Sequence, residues 1–214
     1  TVAATRAASE EELAESALPY LSEMLSMGVT TCEVKSGYGL DTQTELKQLR
    51  AVARLNRMQP IELIPTFLGA HAVPAGEDAD RYIDDCIAES LPAAAESGLA
   101  AFADIFCEKG VFSIEQSERY LRRAADLGFR LKVHADEMYP LGGAGLAVHA
   151  GAVSADHLLR VREEDIAALA ASETVATVLP LTAFCLAEPY APARRLIDGG
   201  AALAVGSDFN PGRC

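Results

Sequence analysis

Short apolar runs of strand length recur along the chain, bounded by Gly, Pro or Asp, at about 29–35, 61–68, 101–107, 130–134, 152–156, 174–179 and 201–206. Several do not alternate with polar positions, as expected of parallel strands buried on both faces. Between them the apolar period becomes helical. Leu13, Ala17, Leu18, Leu21, Met24 and Leu25 fall on one face of the first such segment. Ser9 with Glu12 forms the pattern of a capping box ahead of it, and Thr42 with Glu45 and Ser113 with Gln116 repeat that start signal. Segments 79–97 and 114–127 carry their charges on one side only, as surface helices do.

The seven strand starts are spaced by about 29 residues on average, the length of a βα unit. No G-x-G-x-x-G turn follows an early strand, so an open doubly wound sheet is the weaker reading and a (β/α) barrel the better one. A closed barrel needs eight strands and typically about 250 residues. This chain of 214 residues opens with a helix that has no strand before it. The expectation is therefore one α/β domain over residues 1–214, a (β/α)8 TIM barrel incomplete here, with strands 2 to 8 present and the first strand missing.

Composition narrows the function classes. Hydrophobic residues make up 50% and charged residues 23% of the chain, enough apolar material for a sizeable core and too much for a disordered protein. The balance of 18 basic and 31 acidic residues gives a net charge of −13, which repels phosphate backbones and anionic headgroups and argues against nucleic-acid or membrane-surface roles. No apolar stretch reaches 18 residues, and the first twelve residues lack the pattern of a secretory signal. Cysteines at 32, 86, 107, 185 and 214 form no C-x-x-C pair and leave an odd one over, which fits a reducing cytoplasm better than a disulfide framework.

In a (β/α) barrel, chemistry is carried by the C-terminal ends of the strands. Polar groups gather at those positions: Lys35, Ser36 and Tyr38, then His71, Glu108, His134 with Asp136 and Glu137, Asp156 with His157, and finally Asp208 and Asn210. Three of the four histidines lie there, whereas His149 falls within or just after a helix and reads as structural. His134 stands out because LKVHADE sets an imidazole beside two carboxylates, the ligand types that hold zinc or iron. Asp208 has a competing reading as a helix cap or Asx turn. Asp156 is ambiguous, since it could serve to orient His157.

Six runs together, EVKSGYGLD (33–41), FLGAHAVP (67–74), DIFCE (104–108), KVHADE (132–137), SADHL (154–158) and GSDFNPG (206–212), resemble those of the imidazolonepropionase family of the amidohydrolase superfamily. The resemblance implies a metal-dependent barrel that hydrolyses the cyclic amide of 4-imidazolone-5-propanoate to N-formimidoyl-L-glutamate in histidine degradation. It implies one zinc or iron ion held by His134, Asp208 and an H-x-H pair that this sequence does not contain. The terminal β-sandwich of the family is also missing, so the chain is expected to be a fragment and inactive alone.

By the same resemblance Asp208 is both metal ligand and proton acceptor, His157 polarises the carbonyl, and Glu137 bonds a ring nitrogen and shuttles a proton. Tyr38, His71, Glu137, Asn210 and Gly212 match substrate-contacting positions. Arg213 stands where the family usually has a small hydroxyl residue, and no role is carried over to it. A small-molecule substrate and a homodimer are the partners the family implies. The alternative is a heterocycle deaminase of the guanine or cytosine type, whose H-x-x-E arrangement His134 and Glu137 also satisfy; KSGYG and FLGAHAVP favour the imidazolone family.

Overall fold

The computed structural model describes residues 1–210. Its contacts divide into two compact units, Thr1–Asp104 with Asp126–Phe129, and Ile105–Ala125 with the chain from Arg130 onward.

The first unit starts with two helices, α1 (Val2–Ala7) and α2 (Glu10–Ser26), followed by β1 (Thr31–Lys35), α3 (Thr42–Leu55), β2 (Glu62–Ala70), α4 (Ala79–Asp85), a π-helical turn Cys86–Ser90, and α5 (Leu91–Ser97). Strands β1 and β2 are parallel, with Thr31 opposite Glu62 and Lys35 opposite Thr66. The capping box at Ser9 is complete: its hydroxyl accepts from Glu12 N and its own N–H donates to the Glu12 carboxylate. The apolar face of α2 then packs through Ala14 and Leu21, with Leu13, Ala17, Leu18 and Met24 beside them, onto Ala51, Val52 and Leu55 of α3 and Ile61 and Leu63 at the start of β2. At about 1.5–3 kcal/mol for each fully buried large aliphatic side chain, this cluster is a main source of the unit's stability. The start signal at Thr42 is corrected: Asp41 is the N-cap, accepting from Thr44 N, and Glu45 turns elsewhere.

Strand β3 (Phe102–Cys107) begins in the first unit and ends in the second. The second unit continues with α6 (Ile114–Asp126), β4 (Arg130–Ala135), α7 (Gly143–His149), β5 (Ser154–His157), α8 (Glu163–Ala170), β6 (Val175–Val178), α9 (Pro180–Leu186), α10 (Ala193–Gly199) and β7 (Leu203–Val205). Ser113 and Gln116 exchange capping bonds ahead of α6, as the sequence predicts. Strands β4 to β7 pair in chain order and all in parallel, so their C-terminal ends share one edge. Helix α7 lies on β4 and β5, with α8 against it. A Cβ on Gly145 would stand 2.4 Å from Asp165 Oδ1, so that carboxylate, held by Arg162, would have to shift. Each strand falls within a few residues of its predicted run.

Candidate active site

The sequence-predicted groups of the second unit lie at the shared C-terminal edge. His134 is the penultimate residue of β4, with Asp156 opposite it on β5, and His157 closes β5 opposite Ala135. His134, Glu137, Asp156 and His157 are all buried. The imidazoles of His134 and His157 stand 5.1 Å apart, centroid to centroid, and Phe106 meets His134 edge-on at 5.9 Å. His157 Nε2 lies 3.8 Å from the Glu137 carboxylate. Two buried imidazoles and a carboxylate are thus gathered within a few ångströms, groups able to bind a metal ion or to move a proton.

The backbone that aims these groups departs from ordinary strand geometry. Asp136, His157, Leu158 and Asp208 all have positive φ, between 51° and 79°. Side chains rarely adopt this conformation, and such strain gathers at functional sites. At Asp136 its support is visible: the fully buried carboxylate accepts from Gly142 N at 2.7 Å, Gly143 N at 3.2 Å and Ala144 N at 3.0 Å, and its carbonyl accepts from Arg160 N. Asp136 therefore ties the end of β4 to the start of α7. Burial nevertheless pushes its carboxyl above the ordinary carboxylate range, against those three N–H donors.

Glu108, just past β3, holds the other side of the same loop. Its carboxylate is buried and accepts from Lys109 N at 2.8 Å and Met138 N at 2.9 Å. Glu137 is consequently flanked by two anchored residues. Asp156 accepts from Ser154 Oγ at 2.7 Å, and Lys132 Nζ lies 3.6 Å from its other oxygen, so the structure gives it partners of its own besides its neighbour His157. Asp208 follows β7 and accepts at 2.6 Å from Thr182 Oγ1 of α9, while Asn210 Nδ2 donates to the Asp208 carbonyl at 2.7 Å. Gly212 and Arg213 lie outside the described residues.

Tyr38 and His71 belong to the first unit, where they meet edge to face with ring centroids 5.2 Å apart. His71 Nδ1 shares a hydrogen bond of 2.9 Å with the Gly37 carbonyl. His149 closes α7 and is exposed. The roles of Asp136 and Glu108 as anchors are not legible from residue type.

Comparison with known proteins gives the class first. The chain superposes on adenine deaminase from Arthrobacter aurescens with a TM-score of 0.70 at 20% identity, over 94% of this chain and 63% of that one. It also superposes on the E241Q mutant of the atrazine chlorohydrolase TrzN from Arthrobacter aurescens TC1, complexed with zinc and atraton, with a TM-score of 0.62 at 18% identity over 95% and 51%. These likenesses show the fold, a (β/α) barrel architecture of which seven strands lie among the described residues.

The particular relatives are imidazolonepropionases. The chain is 55% identical to that of Parabacteroides distasonis over 217 aligned residues, all of this chain and 52% of the relative. It is 53% identical to that of Clostridium tetani over 99% of its length and 51% of the relative. The chain spans about half the length of the curated relatives it matches. No family model matches it. Among the described residues no helix is long and apolar enough to cross a membrane.

Proposed function

We propose that this chain forms part of an imidazolonepropionase, hydrolysing the ring amide of 4-imidazolone-5-propanoate to N-formimidoyl-L-glutamate. The observation that carries the reading is identity above 50% to imidazolonepropionases along the whole chain. The burial of His134, Glu137 and His157 at one strand edge supports it.

His134 and Asp208 would hold one zinc or iron ion, and their donor types fit it. When bound, the ion lowers the pKa of water and polarises a carbonyl. In the overall reaction the water oxygen bonds to the ring carbonyl carbon, the carbon–nitrogen bond breaks, and a proton reaches the released nitrogen. Asp208 accepts the proton of the attacking water. His157 donates to the carbonyl oxygen as negative charge develops on it. Glu137, 3.8 Å from His157, bonds the ring nitrogen and delivers the proton there. Tyr38, His71, Asn210 and Gly212 contact the substrate. The reading includes a cytoplasmic location and a homodimer.

The test is steady-state assay of the full-length protein on 4-imidazolone-5-propanoate beside guanine, cytosine and adenine. Ring opening without deamination supports the reading. Deamination without ring opening assigns the protein to the heterocycle deaminases instead.

A further inference from the structure

Glu45 sits in the first turn of α3, yet its carboxylate serves the loop that follows β1 and caps no helix. With only 1% of its surface exposed, it accepts from Gly37 N at 2.6 Å through one oxygen, and from Gly39 N at 2.7 Å and Leu40 N at 2.9 Å through the other. The Ser36 hydroxyl donates to it as well, and accepts from Leu68 N of β2 at 3.0 Å. Three amides of one loop and a hydroxyl thus converge on one buried carboxylate.

The same loop is held from its other side. Arg6 Nε donates to the Gly39 carbonyl at 2.8 Å and Nη2 to the Leu40 carbonyl at 3.3 Å. Lys47 in turn caps the end of α1 through the carbonyls of Thr5, Arg6 and Ala8. Gly37 adopts φ +114°, and a Cβ on Gly39 would stand 2.7 Å from Thr44 Cβ, so the loop fits this cradle only with glycine at both places. Between the two glycines sits Tyr38, and the Gly37 carbonyl fixes His71.

We infer that Glu45 is a positioning residue for substrate binding, fixing Tyr38 through the backbone of Gly37–Leu40 without touching substrate itself. This rests on the proposed imidazolonepropionase reading. A carboxylate is suited to the task because it accepts several N–H groups at once and each charge-assisted bond is strong. Glutamine in its place keeps the volume but turns one acceptor into a donor facing an amide N–H.

The experiment is steady-state kinetics of the full-length protein with 4-imidazolone-5-propanoate, comparing wild type, Glu45→Gln, Tyr38→Ala and the double variant, with bound metal measured in each. Glu45→Gln should raise KM about tenfold, the effect of one lost bond to a charged acceptor, with kcat changed less than about threefold. Metal content should not move. In the Tyr38→Ala background the same substitution should change KM by less than about threefold, a non-additivity that a purely structural role would not give. An unchanged KM in Glu45→Gln, or its full penalty persisting without Tyr38, overturns the inference. Should Glu45→Gln not fold, Gly39→Ala disturbs the same cradle from the backbone side, and an unchanged KM there overturns it equally. A wild type that turns over no imidazolonepropanoate fails the functional reading and takes this inference with it, whereas an active wild type beside an unaffected Glu45→Gln refutes the inference alone.

Discussion

Asp136 offers the sharpest stability test, because one side chain secures both a strained backbone and a helix start. Its carboxylate is wholly buried and accepts three amide N–H groups at the head of α7, a helix of seven residues with no acidic residue in its own first turn. A hydrogen bond to a charged group contributes about 1.5–3 kcal/mol, but the three share one desolvated carboxylate. The loss on truncation is therefore set at about 3 kcal/mol rather than their sum. With φ at 51°, Asp136→Ala carries about 1 kcal/mol more, the left-handed penalty that glycine escapes. Asp136→Asn keeps one acceptor oxygen and tolerates the conformation, so about 1–2 kcal/mol is expected.

Urea unfolding of the full-length protein should then rank stability as wild type, Asn, Gly, Ala. The sign of the pH effect follows from the raised carboxyl. A group whose folded pKa lies above its unfolded value stabilises most below the unfolded value, and the contribution fades as pH rises through the folded one. The gap between wild type and Asp136→Asn should accordingly be wider near pH 4 than at about pH 7. Asp136→Ala within about 1 kcal/mol of wild type, or Gly less stable than Ala, would refute the reasoning.

Other expectations follow from neighbouring features. Glu108→Ala frees the amides of Lys109 and Met138, so kcat should fall about tenfold through misplacement of Glu137, with Glu108→Gln retaining part of the activity; equal kcat in all three forms would count against this. Leu49→Ala, at a position with no exposed surface on α3, should cost about 2–5 kcal/mol in urea unfolding, and a loss under about 1 kcal/mol would contradict the packing described. Thr182→Val removes the 2.6 Å hydroxyl bond to Asp208 and should reduce kcat with little change in the urea midpoint, whereas unaltered kcat would show that Asp208 needs no such support.

The strand and helix series was legible because buried parallel strands and amphipathic helices have different apolar periods, and the capping boxes at Ser9 and Ser113 formed as their residue types require. Thr42 shows where such a signal fails. Glu45 had the right spacing for a capping box, but a loop of three amides competed for its carboxylate and Asp41 capped the helix instead. Strand-end placement was sufficient to nominate His134, Glu137 and His157, since parallel neighbours bring their C-terminal ends together. What could not be read was which acids hold and which ones act. Asp136, Glu108 and Glu137 look alike in sequence, and only the direction of each carboxylate, towards amides or towards His157, separates anchors from the group proposed to act.

Metal-assisted opening of the imidazolone ring by groups of this chain is the proposed function. Its most direct test is turnover of 4-imidazolone-5-propanoate by the full-length protein with metal content determined alongside, wild type beside His134→Ala and Asp208→Ala. About one metal ion per active site is expected in wild type, with ring opening lost in both variants and metal reduced in each. Ring opening that survives either substitution, or a metal-loaded wild type inert towards this substrate, would contradict it.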